Sequence, residues 1–144
     1  MAIKVNVSDK DGKTYKIEVE STVLEEKELF DVINGEVISK DLEGYELLIT
    51  AASDKSGFVS RKEVEGVGVK RLLLKYGMGM HKKPKGDKKS GTKPNGLRLR
   101  KTVRGKVISK DTRQVNVKVN KVGVKKLADI FAKPVEGEEA PKAE

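Results

Sequence analysis

"IKVNVSDKDGKTYKIEVE" spans residues 3 to 20. Ile3, Val5 and Val7 alternate with Lys4, Asn6 and Ser8, and Tyr15, Ile17 and Val19 alternate with Lys16 and Glu18. A period of two sends alternate side chains to opposite faces of an extended strand. Asp9-Lys10-Asp11-Gly12 between the two runs is a turn signal. The stretch therefore predicts a β-hairpin with one buried face. Asp9, Asp11, Gly12 and Glu18 also imitate part of a calcium loop, but its first ligand position falls on Val7, which cannot coordinate.

Working outward, "TVLEEKELFDVI" (22–33) places Leu24, Leu29, Phe30 and Ile33 at helical spacing. It predicts a short helix capped by Ser21 or Thr22 and ended by Asn34-Gly35. "EVIS" (36–39) is read as a short strand and "GYELLIT" (44–50) as a stronger one. "ASDKSGF" (52–58) is a tight turn by its Asp, Ser and Gly content. "VGVKRLLL" (67–74) is expected to be a largely buried strand. "TVRGKVIS" (102–109) predicts a strand interrupted at Gly105, and "RQVNVKV" (113–119) alternates cleanly on Val115, Val117 and Val119. Short strands at regular spacing, with small β-branched residues to fill a narrow interior, predict a mainly β chain built as a small β-barrel. The expected organisation is one barrel domain over residues 1–121 with a long basic loop at 75–101. A short helix at 122–133 and a disordered acidic tail at 134–144 follow it.

The 144 residues suffice for one domain, but 36% are apolar and 37% charged, so a modest core with polar extensions is expected. Cysteine is absent, which excludes disulfides, thiolate metal sites and cysteine nucleophiles. The single histidine, His81, excludes multi-histidine zinc sets. No apolar run approaches the ~20 residues of a membrane helix. No signal-peptide core follows the start, so a cytosolic protein is predicted. No cofactor, metal or small-molecule substrate is expected.

Charge is unevenly distributed. Residues 1–60 carry 7 basic and 13 acidic side chains, whereas residues 61–126 carry 22 basic and 4 acidic. Within 81–105, "HKKPKGDKKSGTKPNGLRLRKTVRG", ten are Lys or Arg and one, Asp87, is acidic. Such a block calls for a polyanionic partner. A membrane-surface patch would need a large-residue amphipathic helix, which these prolines and glycines forbid. Nucleic acid remains. Contact with ~8 phosphates would give a slope of log K against log salt of roughly −6 to −7. Aromatic platforms for unpaired bases are missing from 81–105, the nearest being Phe58 and Tyr76. No basic helix suits the major groove of DNA. Shape and backbone recognition of folded RNA is therefore predicted.

Other chemistry finds little support. "GDKKSGTK" (86–93) nearly spells a phosphate-binding loop, but Thr92-Lys93 reverses the required order and no strand–helix context surrounds it. Asp9, Asp11, Asp31, Asp41 and Asp54 are not gathered into an acid/base pair by any spacing. His81 has no visible orienting partner. An enzyme is not predicted.

"RLRKTVRGKVISKDTRQVNVKV" (98–119), "ITAASDKSGF" (49–58) and "KVNVSDKDGKTYKIEV" (4–19) resemble segments of the archaeal and eukaryotic small-subunit ribosomal protein six, the S-six-e family. The likeness covers roughly residues 1–120. It departs where Ala51-Ala52 replaces a Gly pair and Val59-Ser60 replaces Pro-Met. It also departs in a longer basic loop over 82–97, and where "PVEGEEAPKAE" stands in place of a serine-rich basic helix. No kinase-controlled switch is therefore expected, and the short chain looks archaeal. The resemblance implies a structural, non-catalytic constituent of the cytoplasmic small ribosomal subunit. Its implied partners are small-subunit rRNA and neighbouring ribosomal proteins. By match, Arg98, Arg100, Lys101 and Arg104 face RNA, while Lys82, Lys83, Lys85, Lys88, Lys89 and Lys93 are assigned by charge alone. The alternative is a free RNA-binding regulator or ribosome assembly factor.

Overall fold

The hairpin forms as the alternation requires. Strands β1 (Ala2–Ser8) and β2 (Thr14–Glu20) pair antiparallel, with Val5 opposite Ile17. Gly12, at φ +84°, closes the turn in a left-handed conformation that suits glycine. This computed structural model describes residues 2–82 and 96–131.

The other edge of β1 carries β7 (Thr112–Lys121) in parallel, with Val5 opposite Val115 and Val7 opposite Val117. Strand β4 (Glu46–Asp54) runs antiparallel to β7, and β3 (Val32–Asn34) completes the sheet in the order β2-β1-β7-β4-β3. Ile3, Val5, Val7, Leu47, Ile49, Val115, Val117 and Val119 all point to one buried face. Leu24, Leu29, Ile38, Leu42, Tyr45, Ile108 and Leu127 pack against that face from the connections and from the short helix α1 (Leu127–Phe131).

The sheet curls into a half-barrel. In β4 the register skips Thr50, so Ile49 faces Val117 while Ala51 faces Asn116. Thr50 Oγ1 donates to the Asn116 carbonyl at 3.0 Å. Such a bulge bends its strand and increases the local twist. Two further irregularities lie at the ends of β4, between Glu46 and Leu47 and between Ser53 and Asp54.

Beyond the half-barrel, β5 (Val69–Lys75) and β6 (Arg98–Arg104) form a separate antiparallel ribbon. A second small core of Val64, Leu74, Met80 and Val103 lies under it, joined by half-buried Leu72, Tyr76, Leu97 and Leu99. The ribbon is anchored at its base. Arg104 N–H donates to the Val59 carbonyl and the Arg104 carbonyl accepts from Arg61 N–H, both at 3.0 Å. Residue 59 is itself bridged to Ser53 of β4.

Several local expectations are corrected. Residues 22–33 form no α-helix: a 3-10 turn at Ser21–Val23 precedes bends in which Glu26 and Phe30 take φ values of 68° and 74°. The backbone there is claimed by distant partners. Leu29 N–H donates to the Lys106 carbonyl and Phe30 N–H to the Ile49 carbonyl. Long-range pairing has overridden a weak helical pattern. "EVIS" is not a strand; Gly35–Val37 is a 3-10 turn. Strand β5 exists, but it is mostly exposed apart from Leu74. Strand β6 starts at Arg98, inside the span expected to be loop. The helix within 122–133 is confined to Leu127–Phe131. The tail at 134–144 lies outside the described residues.

Candidate nucleic-acid interface

The register of the ribbon sorts its charges. Residues directly opposite in an antiparallel pair share a face. Leu72 opposite Lys101, Leu74 opposite Leu99 and Lys70 opposite Val103 form the inner face over the small core. Val69 opposite Arg104, Arg71 opposite Thr102, Leu73 opposite Arg100 and Lys75 opposite Arg98 form the outer face. Arg71, Lys75, Arg98 and Arg100 are all exposed. Among the described residues, no carboxylate forms an ion pair with any of these four.

Lys75 and Arg98 face each other directly across the strands. Like charges in that position destabilise a sheet pair. Four cations thus share one face with no ion-paired carboxylate among the described residues.

The sequence-assigned cations separate into four groups. Arg98 and Arg100 lie on the outer face, and Lys101 is exposed at the inner edge. Lys82 is exposed just beyond Met80, next to His81, which meets the Tyr76 ring edge-on at a centroid distance of 5.9 Å. Lys83, Lys85, Lys88, Lys89 and Lys93 lie outside the described residues.

Arg104 is differently placed. Its Nη1 donates to Asp54 Oδ2 at 2.9 Å, its Nη2 to Asp111 Oδ2 at 2.8 Å, and its Nε to the Val67 carbonyl at 3.2 Å. Only 11% of its side chain is exposed. Burial works against its charge, but the hydrogen bonds to Asp111 and Asp54 outweigh that and raise its pKa. Lys55, then Arg104, hold the Asp111 carboxyl below its ordinary value. Arg104 thus ties the ribbon to β4 and to the turn before β7.

Asp54 extends the network. Its Oδ1 accepts from the backbone N–H of Ser56 at 2.9 Å and of Phe58 at 2.8 Å. Its own N–H donates to the Phe58 carbonyl at 3.0 Å. The loop between β4 and the ribbon is therefore fixed against the foot of the outer face.

Arg71 and Lys75 were not singled out from the sequence. Their signal was the period-two spacing of Arg71, Leu73 and Lys75, which matches that of Arg98 and Arg100 once the two runs are paired. Among the described residues, no group of His, Asp and Glu could hold a metal ion. No helix among them is long and apolar enough to cross a membrane.

Comparison with known proteins identifies the family. A family model described as ribosomal protein S6e matches residues 3–132. Small ribosomal subunit protein eS6 of Methanococcus maripaludis strain C6 is 47% identical over 124 residues, covering 85% of this chain and 90% of the relative. The protein of that name from Archaeoglobus fulgidus is 40% identical over 135 residues, covering 91% and 96%. Its counterpart from Methanosphaera stadtmanae is 39% identical over 142 residues, covering 96% and 99%. With its family model spanning both the half-barrel and the ribbon, the chain belongs to the ribosomal protein S6e family.

Proposed function

We propose that this protein is a structural, non-catalytic constituent of the cytoplasmic small ribosomal subunit. It would hold small-subunit rRNA by neutralising phosphates along the outer face of the β5–β6 ribbon. The observation that carries this reading is the row Arg71, Lys75, Arg98 and Arg100, exposed together and without a described acidic partner. The half-barrel supplies a rigid seat, and the Arg104 network sets the angle at which the ribbon leaves it. Lys101 and Lys82 extend the cationic surface, and the basic connection through Lys83, Lys85, Lys88, Lys89 and Lys93 adds charge to the same interface. Neighbouring ribosomal proteins are the expected contacts elsewhere.

Sedimentation of ribosomes tests the assignment. The protein is expected to travel with the small subunit at near one copy per particle in moderate salt. The Arg98→Ala/Arg100→Ala variant should dissociate at lower salt. Its binding to isolated rRNA fragments should show a salt slope shallower by about 1.4 to 1.8, the contribution of two phosphate contacts. A wild-type protein found mainly in light fractions would instead identify a free regulator or assembly factor.

A further inference from the structure

A cleft of about 290 Å³ opens between the 57–59 loop and the ribbon, lined by Gly57, Phe58, Arg71, Gly79, Arg100 and Thr102 among others. It combines an aromatic ring with two guanidinium groups from neighbouring strands. Phe58 is 36% exposed, so its ring is reachable from solvent at the cleft. Its backbone is held in place: Asp54 accepts from its N–H and donates to its carbonyl, while Gly57, at φ +79°, completes the turn. Asp54 is in turn fixed by Arg104. The loop is thus built to hold a ring at the edge of a cationic cleft.

Phosphate alone needs no ring. A duplex backbone needs a row of cations, which the outer face already offers. An aromatic next to paired guanidinium groups fits a base with its flanking phosphates.

We infer that this cleft takes one unpaired RNA nucleotide, with its base against Phe58 and its phosphates at Arg71 and Arg100. The inference rests on the RNA-binding reading above and sharpens it: the ribbon grips backbone, and the cleft selects a site where a nucleotide leaves the helix. Because bulged and looped nucleotides occur at fixed places in a folded RNA, one such pocket would set the register of the whole cationic row.

The test uses the full chain and two hairpin RNAs of identical stem, one of which carries a single bulged 2-aminopurine. Wild type is expected to bind the bulged RNA about 5- to 150-fold tighter, the range for stacking one base on an aromatic, with a change in 2-aminopurine fluorescence. Phe58→Ala should bind both RNAs equally, at the wild-type affinity for the plain stem and with unchanged salt slope. Phe58→Tyr should retain the preference. Should Phe58→Ala melt early, Phe58→Leu keeps the bulk while removing the ring face, and it should also lose the preference. Equal binding of the two RNAs by wild type, or a Phe58 variant that weakens both alike, overturns the cleft assignment and leaves the backbone reading intact. Failure to bind either RNA overturns both.

Discussion

Replacing Arg104 with Ala separates a strut from an RNA ligand. In the fold, this guanidinium joins Asp54, whose side chain is 3% exposed, to Asp111, whose side chain is 44% exposed. Breaking a buried ion pair from one side costs about 3 to 5 kcal/mol, because the remaining charge is stranded. Here Asp54 Oδ1 keeps two amide donors, which holds the effect near the lower bound. Asp111 rehydrates and adds little. A loss of roughly 3 kcal/mol is expected. At about 4 °C per kcal/mol for a domain of this size, the Tm should fall by roughly 12 °C. Thermal and urea melts followed by circular dichroism read this directly. Arg104→Lys should recover only part of the loss, since an ammonium lacks the fork that reaches both carboxylates. At temperatures where the variant is folded, its RNA salt slope should match wild type. The reasoning is refuted if Arg104→Ala melts within about 2 °C of wild type yet loses RNA affinity and slope as a single phosphate contact would.

Two further outcomes follow from the same geometry. A Cβ at Gly105 would lie 1.8 Å from the Gly66 carbonyl oxygen, a backbone atom with little room to give, so Gly105→Ala should cost roughly 3 kcal/mol in urea melts. The Asp111 carboxyl is held below its ordinary value by Lys55 and Arg104, so the charged form is favoured by folding. Its contribution is complete above the unfolded-state pKa and disappears as pH falls through the lower folded-state value. Asp111→Asn should therefore flatten the acid limb of the Tm–pH profile below about pH 4, and an unaltered limb would contradict the pairing.

Much of the half-barrel was legible because its strands alternate strictly. Ile3, Val5 and Val7, and Val115, Val117 and Val119, announce one buried face each without reference to anything distant. The parallel pairing of those two runs was not legible, since local pattern carries no information about which strand a neighbour will be. The 22–33 segment misled because Leu24, Leu29 and Ile33 are buried by contacts from several directions, which imitates a helical face. In "RLRK" the charges masked the start of β6: its alternation sets basic residues, not neutral polar ones, on the outward face, so the run reads as a charged loop. Phe58 and Arg71 are 13 residues apart and Arg100 is 29 further on, so only the β5–β6 register together with the anchoring of the 57–59 loop to Asp54 and Arg104 brings them to one cleft. Arg104 belongs by sequence to the cationic run, and only its distances to Asp54 and Asp111 distinguish it from Arg98 and Arg100.

The parallel seam between β1 and β7 has a consequence for synthesis. Asn6 and Asn116, whose side chains meet at 2.9 Å, are separated by 110 residues. The first hairpin to leave the translating particle therefore waits with one edge unpartnered until nearly the whole chain has been made, about 5 to 20 seconds at ordinary elongation rates. During that interval the positively charged midsection emerges ahead of the strand that closes the sheet. The nascent molecule meets its polyanionic surroundings before its own hydrophobic interior can be sealed.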